Sequence, residues 1–283
     1  MQKLLVLALT GVCGIAAAQT PATNPMPDGS RDMYVGLGLQ SAPNYEGGRQ
    51  RRVRALPVLQ VEWSNGAFVS GLMAGMHLSG RPELEYGPLL AINPGRDARD
   101  GRFPLGSTSV PGGPTIAPPD MVQIAGAEAR PEVRQVHARL EAGGFVNVYL
   151  TRQLRVTNSV LYGAGNARKG LRWMLDLQRV AAEVAPHHMV SLSAGVSVVN
   201  RSYNNAFFGA DLDVVALDDN ARYAPSGGVK DVHADLRWNW ALAPSWLLTT
   251  NVHVSRLRGD AKASPIVERP TSLTVSSALA YRF

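Results

Sequence analysis

One cysteine occurs in 283 residues, and Cys13 lies in an uncharged stretch that runs from Leu4 to Ala18. Met1-Gln2-Lys3 precedes the stretch and Ala16-Ala17-Ala18 closes it before Gln19. A positive start, an apolar core of about 15 residues and a small-x-small end make a secretory signal peptide, residues 1–18, too short to cross a bilayer as a helix. Cleavage after Ala18 removes the only thiol, which excludes disulfides, thiol catalysis and cysteine-held metals from the mature chain. Val12 stands where a lipoprotein signal needs a small residue, so lipid attachment is not expected. After Ala18 no run approaches 18 consecutive apolar residues, so no transmembrane helix is expected. Dense charge is also lacking. The formal net charge is +6, yet only Gln50-Arg51-Arg52-Val53-Arg54 is concentrated, and a nucleic-acid groove needs a basic stripe. Charged residues make up 18% of the chain and mean hydropathy is near zero. Those values suit a secreted globular protein or an outer-membrane barrel, whose lipid-facing and lumen-facing residues average out.

What the chain does have is alternation. From Val232 to Leu242 the apolar set is Val232, Ala234, Leu236, Trp238, Trp240 and Leu242, against His233, Asp235, Arg237 and Asn239. Ala243-Pro244-Ser245 then turns the chain into Trp246–Val254, where Asn251 and His253 share the polar face. The last strand sets Leu273, Val275, Leu279, Tyr281 and Phe283 outward and Thr274, Ser276, Ala278, Ala280 and Arg282 inward. A soluble sandwich also alternates. Two features favour an antiparallel transmembrane β-barrel. Its polar face is lumen-facing, with His233, Asp235, Arg237, Asn251 and His253 among Ser, Thr and Gly; and Trp240, Trp246, Tyr281 and Phe283 gather at one rim as a membrane-interface aromatic girdle.

Strands are predicted near 33–40, 52–63, 67–78, 83–92, 143–150, 154–163, 171–181, 189–199, 231–242, 246–256 and 272–283, with a bulge at Arg179. That is an odd number, and bacterial barrels have an even one with short periplasmic turns. A further strand is therefore expected between about 96 and 142, giving twelve, with ten as the alternative. Residues 19–32 read as a periplasmic linker and 33–283 as the barrel, integral to the outer membrane of a Gram-negative bacterium. The terminal strand closes the ring, and Phe283 stands at the interface as a signal for the barrel-assembly machinery.

Several stretches go beyond barrel grammar: Tyr34-Val35-Gly36, Ala42-Pro43-Asn44-Tyr45-Glu46-Gly47-Gly48, Ala55-Leu56-Pro57, Tyr223-Ala224-Pro225-Ser226-Gly227-Gly228, Ser255 to Ala261, Ser264-Pro265-Ile266-Val267 and Ala280-Tyr281-Arg282-Phe283. In these the chain resembles the MipA/OmpV family. The resemblance implies an outer-membrane barrel and, for the founding member, a non-enzymatic scaffold linking a lytic transglycosylase to a bifunctional penicillin-binding protein during peptidoglycan remodelling. Other members resemble adhesins or osmolarity-responsive proteins. The polar lumen keeps a small-solute channel open as the alternative, and loop 200–230 keeps a surface adhesin open.

No catalytic, cofactor or metal site is expected. His233 and His253 lie on neighbouring strands with Asp235 near, and hydrogen bonding within the lumen is the plainer reading than a metal site. His187 and His188 are expected to be solvated in a turn. Asp211, Asp213, Asp218 and Asp219 lack the spacing and closing glutamate of a calcium loop. Gly143-Gly144 and Gly227-Gly228 open no phosphate-binding helix, and no Gly-x-Ser-x-Gly elbow occurs. Phe207 and Phe208 are read as rings packed on their own loop.

Overall fold

The computed structural model describes residues 31–78, 81, 83–96, 133–211 and 222–283. Residues 1–30, on which the signal-peptide and most of the linker reading falls, and the acidic residues Asp213, Asp218 and Asp219 lie outside the described residues. Twelve antiparallel strands form one closed ring: β1 (Arg31–Pro43), β2 (Arg51–Trp63), β3 (Ala67–Ser70), β4 (Met73–Met76), β5 (Leu84–Asn93), β6 (Arg139–Thr151), β7 (Leu154–Ala164), β8 (Gly170–Ala185), β9 (His188–Val199), β12 (Gly228–Ala243), β13 (Trp246–Leu257) and β14 (Thr271–Arg282). Between β9 and β12 come helix α1 (Arg201–Phe208) and the two-residue strands β10 (Ala210–Asp211) and β11 (Arg222–Tyr223); helix α2 (Gly259–Ala263) joins β13 to β14.

The ring closes where β1 pairs with β14, from Tyr34 opposite Arg282 to Ser41 opposite Val275. Closure leaves no strand edge at this seam, where each unpaired peptide group facing hydrocarbon would cost several kcal/mol. Phe283 donates its N–H to the carbonyl of Met33 at 3.0 Å, which fixes the last residue at the rim. Outward side chains are apolar around the wall: Leu37, Leu39, Val53, Leu140, Val184, Leu192, Leu279 and Phe283 are all exposed. In water so much exposed apolar surface would be an aggregation liability; in a bilayer it is the solvent contact.

The even strand number arises differently from the expectation. No barrel strand is needed between 96 and 142, because β5 pairs directly with β6, from Leu84 opposite Val148 to Asn93 opposite Arg139. The missing strand lies in 67–78, which folds back on itself as the β3–β4 hairpin around Gly71-Leu72. Gly71 has φ of +56°, a conformation that favours glycine, and a four-residue strand is too short to show alternation on either side of it. The bulge expected at Arg179 is present: Arg179 pairs with Leu192 and Ala182 with Val190, so β8 carries an extra residue there.

Close strand approach at the seam depends on Gly36, where a Cβ would run into the carbonyl oxygen of Leu279. Gly36→Val is expected to prevent ring closure. The measurement is the gel shift between boiled and unboiled detergent-refolded protein, which the wild type shows and the variant lacks; a normal shift in the variant contradicts the seam geometry.

Candidate functional site: a divided lumen beneath a packed mouth

Inside the ring the side chains separate by type. On the β3–β8 side Leu89, Ala91, Phe145 and Leu161 form a buried apolar cluster, with Phe68 and Met174 packed against it. Phe68, His77 and Phe145 meet with centroids 4.9 to 6.0 Å apart. The polar faces of β9 and β12–β14 were legible; the opposite wall combines this apolar cluster with a polar group on the same strands, where Glu85 accepts from Asn147 at 3.0 Å and from Tyr149 at 2.8 Å and lies 3.7 Å from Arg155. The polar half encloses a chamber of about 560 Å³, lined by Asp176, His233, Asp235, Arg237, Asn251 and His253 among others.

Those lumen-facing residues are arranged in rows by the register. Asp176, Gly195 and His233 are directly opposite one another on β8, β9 and β12. A Cβ on Gly195 would collide with the Asp176 carboxylate, so glycine lets the outer two side chains meet across the middle strand. His233 Nε2 then lies 2.8 Å from Asp176 Oδ1 and its Nδ1 2.8 Å from Asp231 Oδ1. Both contacts are donations only in the doubly protonated ring. One row nearer the periplasm, His253 Nδ1 lies 2.8 Å from Asp235 Oδ1 on the adjacent strand. The two imidazoles come within 5.8 Å, as their strands suggest. Each is engaged with carboxylates, and no group of three metal-ligating side chains occurs among the described residues. Arg237 faces the chamber with no hydrogen bond or ion pair among the described residues, opposite Asn251 on β13 and Ser191 on β9.

Above this strut, loops and strand ends are tied together at the mouth. Lys230 Nζ, almost fully buried, donates to both carboxylate oxygens of Glu46 at 2.9 Å and lies 3.0 Å from Asp231 Oδ2. Glu46 belongs to the β1–β2 loop, so the chain Glu46–Lys230–Asp231–His233–Asp176 runs from an outer loop to the far wall. Glu141 is fully buried and accepts from Asn93 at 2.7 Å and Arg172 at 3.0 Å. Across the mouth lies α1. Asn200 caps it, accepting from the Tyr203 N–H at 2.9 Å, and Arg96 donates to the Phe207 carbonyl at 2.6 Å. Tyr203 and Phe207 stack at 4.5 Å, while Phe208 is buried with Leu257 and Ala261. The two phenylalanines therefore pack within the outer loops, as read. Burial pushes the Tyr203 phenol up from its ordinary value and lowers the Arg96 guanidinium to about 10, against the opposing pull of Tyr45 and Glu46.

At the other rim, Trp246 and Tyr281 meet edge-on at 5.2 Å, and Tyr281 and Phe283 at 4.9 Å. Trp240 stacks on His188 at 5.2 Å and on Trp238 at 6.0 Å. Trp238 Nε1 donates to His188 Nδ1 at 3.2 Å, so His188 is held against both tryptophan rings, in contrast to the expected solvated turn; His187 is exposed. Sequence reasoning missed Asp176, Asp231, Lys230, Glu46 and Glu141; Asp176, Glu46 and Glu141 meet partners 31 to 184 residues away. Only their placement on an inward parity could have signalled them.

A sealed ring of twelve strands, greasy outside and ion-paired within, is an outer-membrane β-barrel. Residues 35–283 match the family model MltA-interacting protein MipA, and the chain belongs to that family. Among solved structures it is similar to an outer membrane channel from Pseudomonas putida F1, with 10% identity over 93% of this chain and 99% of that one, TM-score 0.40. It is also similar to the outer membrane channel DcaP of Acinetobacter baumannii, with 8% identity over 90% and 96%, TM-score 0.38. No curated protein matches the chain.

Two outcomes follow from the geometry. Asp176→Ala and His233→Ala each remove the Asp176–His233 contact, so each should lower the stability of the refolded barrel by about 1–3 kcal/mol, and the double variant should lose less than the sum of the two. Thermal unfolding of the four proteins measures this, and additive losses contradict it. Tyr203 ionises less readily folded than unfolded, so its contribution is complete below pH 10 and is lost as pH rises beyond it. Stability should fall above pH 10 by up to about 1.4 kcal/mol per pH unit from this group, and the corresponding fall should be absent in Tyr203→Phe.

Proposed function

We propose that the protein is a non-enzymatic scaffold of the outer membrane that docks peptidoglycan-remodelling enzymes, a lytic transglycosylase and a bifunctional penicillin-binding protein, on its periplasmic face. Membership of the family described as MltA-interacting protein carries this reading. The architecture agrees with it. An apolar cluster and several ion-paired groups fill much of the lumen, and α1 packs across the mouth. The rim opposite offers short turns at 64–66, 152–153, 186–187 and 244–245, on which Arg152, Gln153, Pro186 and His187 are exposed. Rigid strands fix the relative positions of these turns, which is what a scaffold needs from its surface.

One observation favours a second reading, a small-solute channel: the chamber of about 560 Å³ with Arg237 open to it. Twelve strands enclose much less space than the roughly 16 of wide aqueous porins, so any such path would be narrow.

Affinity capture with the purified barrel from a solubilised envelope tests the scaffold. A murein hydrolase and a synthase should be enriched over capture with an unrelated barrel, and absence of enrichment contradicts the reading. In planar bilayers the scaffold should be electrically silent; discrete conductance steps would favour the channel.

A further inference from the structure

Within the densest charge in the sequence, Arg51 shares the outward face of β2 with Val53, while Arg52 and Arg54 have the opposite parity. Its position along the wall is informative. On β13, outward positions run from Trp246 in the aromatic girdle through Leu248, Val252 and Val254 to Arg256. Ten residues of strand rise ~33 Å, and at a tilt of about 40° this covers ~25 Å along the membrane normal, the height of an outer-membrane apolar band. Arg256 therefore stands where hydrocarbon gives way to headgroups on the outer side. Arg51 occupies the same boundary on β2, directly above the exposed Val53 on the same face.

Between them the ring order is β2, β1, β14, β13, so the two arginines bracket four adjacent strands. The loops above this arc hold further cations. Arg49 and Arg269 flank the contact where the N–H groups of Glu268 and Arg269 donate to the Gly47 carbonyl, and Arg258 lies next to α2; all three are exposed. Arg51 is fixed in place by carbonyls, donating to Leu273 at 2.6 Å and Ser41 at 3.0 Å, with no carboxylate partner among the described residues. Arg256, Arg258 and Arg269 form no ion pair among the described residues. The acidic neighbours are few: Glu268 lies 4.0 Å from Arg49, and the Asp260 carboxylate accepts from the Ser226 N–H at 2.8 Å.

We infer that this arc, centred on Arg51, Arg256 and Arg269, is a binding site for the phosphate groups of an outer-leaflet glycolipid of the lipid A type. Guanidinium groups are suited to phosphate because they donate two parallel hydrogen bonds and keep their charge. The apolar residues directly beneath, Val53, Val254 and Leu273, meet the acyl chains of the same lipid, so headgroup and tail are recognised on one vertical strip. The site rests on the barrel's place in the outer membrane and not on the scaffold reading.

The test uses the refolded mature barrel in neutral detergent, titrated with lipid A and with lipid A freed of its phosphates, with binding read by native mass spectrometry. Each cation near a charged membrane surface changes affinity about fivefold, so Arg51→Gln, Arg256→Gln and Arg269→Gln together should weaken lipid A binding about a hundredfold. The triple variant should keep the heat-dependent gel shift. A control, Lys169→Gln with Arg201→Gln on another part of the outer rim, should bind as the wild type does. Equal binding of the phosphate-free lipid, an unaffected triple variant, or an equal loss in the control would each overturn the inference.

Discussion

A peptide group in hydrocarbon has no water to bond, and this constraint orders the whole molecule. Every strand must find two neighbours, which a sheet can satisfy only by closing on itself. The β1–β14 seam closes the ring, and Gly36 gives the close approach that this pairing needs. Once the ring is sealed, alternation does the rest. Outward positions become a hydrocarbon-facing band, inward positions become a small enclosed interior, and the two rims inherit rings on one side and arginines on the other.

Enclosure makes the interior's charges depend on one another. A lone carboxylate or ammonium group in a space this small would be poorly solvated, and the structure answers by joining them in sequence from Glu46 through Lys230, Asp231 and His233 to Asp176. The members come from an outer loop and two strands that are not adjacent, so the chain braces the cross-section and secures the loop at once. On β5 to β7 the apolar cluster around Phe145 and Leu161 fills space by packing, and Glu85 is joined to Asn147, Tyr149 and Arg155 beside it. A barrel built this way resists deformation, which accords with a role in holding partners at fixed positions.

Much of the wall was legible because a strand with one wet and one lipid face writes its parity directly into the sequence: β12, β13 and β14 could be read residue by residue. The β3–β4 hairpin could not, since four residues are too few for a period and Gly71 looks like any other glycine within a strand. Helix α1 was hidden by a sequence, Arg-Ser-Tyr-Asn-Asn-Ala-Phe-Phe, with poor helix formers, and tertiary burial of Tyr203 and Phe208 decides its form. Of the lumen ion pairs, His233, Asp235 and His253 were legible as types and faces. Their partnerships were not, because Asp176 and His233 are 57 residues apart and meet only through the register and Gly195. Arg51 was visible as part of a dense cluster; that it shares the rim with Arg256 and Arg269 was not, because only the ring order brings β2, β13 and the β13–β14 loop together.

The central claim is that parity along a strand separates lipid from lumen, and single-cysteine labelling along β14 tests it most directly, in a mature chain that has no other thiol if cleavage follows Ala18. A fluorophore placed in turn at 273 to 281 in lipid vesicles should be quenched by a lipid-chain quencher at 273, 275, 279 and 281 and spared at 274, 276, 278 and 280. Quenching that is uniform, or that is strongest at the even positions, would contradict the account.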